Sequence, residues 1–120
     1  MARPQHSRQG SRATRVKLLG SVLALVELQN GRHVRARLHQ LSTTGGVLQV
    51  TKPLDEGIAV KLIFHVGSTT VRSNAQMLFP MWATRGCLQP FRFTDLDEDD
   101  RGRLATDLQS LLEKPPAGTE

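Results

Sequence analysis

Asn30-Gly31 most constrains what this chain can fold into. The pair separates two segments of strand-like texture: residues 16–28, rich in valine and leucine, and residues 32–38, which alternate cleanly. In the second segment Val34, Ala36 and Leu38 face one side, and His33, Arg35 and Arg37 face the other. That period of two marks a half-buried strand. Both turn positions tolerate positive φ, so the pair predicts a β-hairpin with an aliphatic inner face and a basic outer stripe.

The rest of the chain repeats the pattern. Further strands are expected at 47–50, 58–66, 69–79 and 87–93, separated by the turn cluster 52–57, by Gly67-Ser68 and by Pro80, which ends pairing or marks an edge. Short strands at this spacing predict a small barrel or sandwich. One helix follows. Asp95 or Asp97 can cap it, Glu98, Asp99 and Asp100 suit the positive end of its dipole, and Leu104, Leu108, Leu111 and Leu112 form an apolar stripe expected to pack on the barrel. Pro115-Pro116 stops the helix. The expected division is a flexible basic arm at 1–14, a barrel with its helix at 15–113, and a loose tail at 114–120.

The chain has 120 residues, a net charge of +5 and a pI near 10.4, which favour one domain and anionic partners: nucleotides, nucleic acid or an anionic membrane. The charge is uneven. Arg3, Arg8, Arg12, Arg15 and Lys17 precede the first acid, Glu27. A single cysteine, Cys87, excludes an internal disulfide, fits a reducing cytoplasm and reads as a buried small hydrophobe. No apolar run reaches membrane-spanning length, and no apolar core follows the basic N-terminus, so neither a span nor a signal peptide is expected. His6, His33, His39 and His65 make no metal-binding spacing, and the carboxylates gather where a helix dipole explains them. Neither catalysis, metal nor cofactor is therefore expected.

Two features point to a ligand. Residues 40–46 (QLSTTGG) form a hydroxyl-and-glycine loop between strands, with Ser42 as a small donor and acceptor and Gly45 and Gly46 allowing a sharp turn and a close approach. Upstream, Arg8 and Arg12 lie four apart in the arm, and Arg15 stands just before the first strand. Guanidinium groups bind phosphate or guanine through two donors at once. An arginine arm beside such a loop suggests a clamp for a small anionic ligand.

Together these motifs resemble the PilZ domain family, whose pattern is RxxxR before the first strand and [D/N]xSxxG between the second and third. Arg8-Gln9-Gly10-Ser11-Arg12 supplies the first half. Ser42 and Gly45 supply the second, with Gly46 extending it and Gln40 standing where the family has Asp or Asn. A second register pairs Arg12 with Arg15, because members commonly place the last arginine against the first strand. Gln89-Pro90 lies where the family often has glycine. The resemblance runs from about Arg8 to Leu112. It implies an all-β fold, a six-stranded antiparallel barrel with a C-terminal α-helix. It also implies binding of cyclic di-GMP, a bacterial second messenger, by Arg8, Arg12, Arg15, Gln40, Ser42, Gly45 and Gly46. A receptor with no second domain would signal through a protein partner or through assembly. Two alternatives stand beside it: a degenerate PilZ adaptor that binds a protein without nucleotide, and a small basic nucleic-acid barrel. The last is disfavoured because the chain has no tyrosine, one tryptophan and four phenylalanines, most of them expected in the core.

Overall fold

The computed structural model describes residues 15–113. Arg8, Arg12 and the rest of the arm, like the tail at 114–120, lie outside the described residues. Seven strands run β1 (Val16–Glu27), β2 (His33–Leu41), β3 (Gly45–Val50), β4 (Ala59–Val66), β5 (Thr69–Met77), β6 (Met81–Trp82) and β7 (Cys87–Phe93), followed by helix α1 (Glu98–Glu113). All pairings are antiparallel, in the order β3-β2-β1-β4-β5-β7-β6. A further pairing of β3 with β7 joins the ends, so six strands close into a barrel and the two-residue β6 is an addition at its rim.

The expected hairpin forms with one difference. Gly31 takes positive φ (88°), but Asn30 does not; its side-chain oxygen instead accepts a bond from the Arg32 amide at 3.0 Å. Asparagine thus shapes the turn through its side chain, leaving the left-handed position to glycine. On β2 Ala36 and Leu38 are buried while His33, Arg35 and Arg37 are exposed, as the alternation requires. β1 carries a bulge. Between Lys17 and Val22 it advances five residues while β2 moves only from Gln40 to Leu38. Leu19 and Gly20 both take positive φ there, and Arg37 Nη1 donates to the Gly20 carbonyl at 3.1 Å. Gly20, an isolated glycine inside a strand-like run, is the local signal for this bend.

The core is aliphatic, with Leu38, Leu41, Leu48, Leu62 and Met77 fully buried, and Cys87 is buried among them. Leu104 and Leu108 of α1 close one end. Leu111 and Leu112 do not join them; they are 39% and 49% exposed. The helix is tied down as far as Asp107: Arg101 Nη1 donates to the Thr43 carbonyl and Asp107 accepts from Thr69 Oγ1 at 2.5 Å, and its last turn runs past the barrel. The expectation that most aromatics enter the core holds for three of the five. Phe64 and Phe91 are buried, and half-buried Phe93 stacks on Phe64 and meets Phe91 edge-on, but Phe79 and Trp82 are 68% and 79% exposed. Phe79 lies just before Pro80 and Trp82 just after it, where no other described element covers the sheet.

Of the two candidate caps, Asp97 sits at the helix start, its carbonyl accepting from the Arg101 amide at 2.8 Å. Asp95 does different work. Its carboxylate accepts from the Asn74 amide (2.8 Å), the Asn74 side chain (2.7 Å) and Ser73 Oγ (3.1 Å), pinning the β7–α1 connection to β5. The Asn74 backbone amide, helped by the Asn74 and Ser73 side chains and Lys61, holds this carboxyl below its ordinary value against the opposing effect of burial. A depressed carboxylate stabilises the fold above its unfolded pKa of about 3.9, and that contribution is lost as pH falls through the lower folded value. Wild type should therefore melt higher than Asp95→Ala at neutral pH, with the gap narrowing in acid. A gap that stays constant through the acid range would mean that ionisation of Asp95 is not involved.

Candidate functional site

The start of β1, the end of β2 and the start of β3 meet at one end of the barrel. Val16 pairs with Leu41 and Lys17 with Gln40, while Gln40 and Leu41 pair across their other edge with Val47 and Gly46. Residues distant in sequence are thereby brought together. Arg15 Nη1 donates to Gln40 Oε1 at 3.2 Å, on the exposed surface.

The loop between β2 and β3 is a tight turn built around Ser42. The Ser42 amide donates to the Gly45 carbonyl at 2.7 Å, its Oγ donates to the same carbonyl at 3.1 Å, and Oγ accepts from the Thr44 amide at 3.2 Å. Thr44 Oγ1 lies 3.1 Å away. The serine is only 2% exposed, so its hydroxyl serves the turn that presents the loop. Two further contacts fix that turn: the Phe93 amide donates to the Thr44 carbonyl at 2.9 Å, and Arg101 reaches the Thr43 carbonyl from α1.

Gly45 and Gly46 also serve the fold. Neither takes positive φ. A Cβ on Gly45 would lie 2.3 Å from the Phe91 carbonyl oxygen, and one on Gly46 would lie 2.3 Å from the Gln40 carbonyl oxygen. Both glycines let β3 approach its two neighbours, β7 and β2, where the barrel closes. The close approach expected toward a ligand is thus made toward the protein's own backbone.

Arg15, Gln40, Ser42, Gly45 and Gly46 are therefore neighbours, and Arg8 and Arg12 lie outside the described residues. The register adds two cations that sequence reading passed over. Lys17 stands opposite Gln40, and Arg92 stands opposite Gly45, where its Nε donates to Gln76 Oε1 at 3.0 Å. The parity of each strand shows that Lys17 and Arg92 face outward, but only the β3–β7 pairing puts Arg92 beside the glycines. Arg15, Lys17 and Arg92 make this end electropositive, suited to phosphate or carboxylate oxygens. Among the described residues no three of His, Cys, Asp and Glu gather to hold a metal ion, and no helix is long and apolar enough to cross a membrane.

No protein-family model and no curated protein sequence matches the chain. Solved structures do. YcgR of Escherichia coli, in complex with c-di-GMP, superposes with a TM-score of 0.72 at 20% identity, over 84% of this chain and 45% of that one. The PilZ domain of the same protein with c-di-GMP gives 0.66 at 19% identity, over 84% of this chain and 90% of that domain. The fold is that of a PilZ domain. The inhibitor of motility MotI/DgrA of Bacillus subtilis matches as well, with a TM-score of 0.70 at 13% identity, over 95% of this chain and 54% of that one. The chain spans about half the length of YcgR and of MotI/DgrA. In this fold the loop at 42–46 falls between the second and third strands.

Proposed function

We propose that this chain is a cyclic di-GMP receptor domain of bacterial cytoplasmic signalling, which binds its ligand without catalysis and acts through a protein partner or through assembly. The observation that carries this reading is the meeting of Arg15 and Gln40 beside the Ser42–Gly46 turn, on the electropositive end of a PilZ barrel. The arm at 1–14 would bring Arg12, with Arg8 or Arg15 as its partner, over that end to grip phosphate and guanine edges. The barrel at 15–113 is proposed as the folded unit.

Calorimetric titration tests it. Cyclic di-GMP should give saturable heat, with little from GMP or cyclic di-AMP. Arg12→Ala should weaken binding roughly ten- to hundredfold, the cost of a lost two-donor contact, without altering thermal unfolding. The larger loss between Arg8→Ala and Arg15→Ala identifies the partner of Arg12. Equal, modest losses at all three, and at Arg3→Ala, would reduce the arm to a nonspecific cationic tail.

One observation favours the adaptor reading. Gln40 stands in place of Asp or Asn and its carbonyl is engaged by Arg15, while the Ser42 hydroxyl is spent within its own turn. An absence of heat at ligand concentrations well above micromolar would decide for that reading.

A further inference from the structure

β1 is apolar on both faces. Ala24 and Val26 enter the core, while Leu23, 59% exposed, and the half-buried Leu25 face outward. The register places basic and apolar partners beside them. Leu23 pairs with Arg37 and Leu25 with Arg35 on β2, and Leu25 pairs on its other edge with Ile63 of β4. Directly paired residues share a face of the sheet. Leu23, Leu25 and Ile63 thus make an aliphatic floor with Arg35 and Arg37 along one side, and Arg85 of the β6–β7 turn joins them in lining a groove of about 740 Å³. Among the described residues no carboxylate lines this groove, and neither Arg35 nor Arg85 is paired with one.

The chemistry of the groove selects its occupant. An apolar floor with a cationic rim complements a surface that is apolar along one stripe and acidic beside it. The barrel is closed through β1, β2 and β4, so these strands offer no free edge for an added strand, and a helix laid on the face is the remaining mode of peptide recognition. Nucleic acid is a poorer fit because leucine and isoleucine provide no stacking platform. A flat lipid surface would span the concavity rather than fill it. We propose that this groove docks an acidic amphipathic helix of a partner protein, its leucine-type side chains on Leu23, Leu25 and Ile63 and its carboxylates against Arg35, Arg37 and Arg85. The surface goes beyond the proposed nucleotide site and uses none of its residues, so either can fail without the other.

The full chain can be tested by fluorescence anisotropy with three labelled helical peptides of about five turns. One carries a leucine stripe flanked by glutamates, one the same stripe flanked by lysines, and one the glutamates with serines in place of the leucines. Only the first should bind. Leu23→Ser and the double variant Arg35→Glu/Arg85→Glu should each weaken it about tenfold or more, and the double variant should take up the lysine-flanked peptide instead. All these side chains lie on the outer face, so thermal unfolding should be unchanged. Cyclic di-GMP titrations of the same variants should match wild type. Binding of the serine peptide equal to the leucine one, undiminished binding by the double variant, or tighter binding of single-stranded DNA or phosphatidylglycerol vesicles would each overturn the proposal. Loss of the peptide signal with cyclic di-GMP heat intact rejects the groove alone. Peptide binding without cyclic di-GMP heat rejects the receptor reading and supports the groove.

Discussion

Gly46→Ala should lower the melting temperature of the barrel by roughly 10–20 °C, the shift expected for a domain of this size losing about 3 kcal/mol. Its Cβ would lie 2.3 Å from the Gln40 carbonyl oxygen and 3.1 Å from Phe91 Cζ. The ring can turn aside. The carbonyl cannot move without disturbing β2, which pairs with β3 on one edge and with β1 on the other. Gly45→Ala meets the same obstacle on the opposite side, against the Phe91 carbonyl and Arg92 Cα. Because the β3–β7 pairing is what closes the sheet, strain at this seam weakens the whole barrel. Circular dichroism melts of the two variants measure it. A melting temperature within a few degrees of wild type would show that the seam yields, and the glycines would then have to be explained by ligand approach. Affinity for cyclic di-GMP, measured well below both melting points, separates the two roles.

Gln89→Leu should destabilise the protein by about 2–4 kcal/mol, since it orphans two backbone groups at once. Gln89 is wholly buried. Its Oε1 accepts from the Leu54 amide at 2.7 Å and its Nε2 donates to the Leu78 carbonyl at 2.6 Å. One side chain thereby holds the connection before β4 and the connection after β5 to the inside of β7. Leucine fills nearly the same volume, so the loss reports hydrogen bonds rather than a cavity. Urea unfolding should show a lower midpoint with the same slope, and the Leu54 amide should exchange faster. An unchanged midpoint would mean that water replaces both bonds. The departure from glycine at this position is thus a structural device of this barrel.

Much of the architecture is legible in the chain. The alternation at 32–38 identifies β2 and the faces of its residues, and residues 87–93 mark β7 to its ends. The acids after Leu96 mark the start of α1. The meeting of Arg15 with Gln40 follows once the hairpin is recognised, because the hairpin brings the end of β2 back to the start of β1. These signals are local. A period of two, a turn pair or a charged first turn is written in residues a few positions apart, and each acts before any tertiary contact exists.

What remained for the tertiary structure involves partners far apart in sequence. Nothing near Gly45 announces that Phe91 and Arg92 will lie against it, so a glycine pair that reads as a ligand loop also serves barrel closure. Asp95 reads as a helix cap until β5 arrives to claim it, and Gln89 reads as a departure from a motif until two loops converge on it. Leu111, Leu112, Phe79 and Trp82 are apolar enough for a core, but burial depends on whether another layer covers them, and among the described residues none does. The outward leucines of β1 acquire meaning only when the register sets them beside Arg35 and Arg37. Sequence by itself determined most of the strand segments and, on β2, which way the side chains point; closure and register, being sums over non-local pairs, added β6 at the rim and decided what those side chains meet.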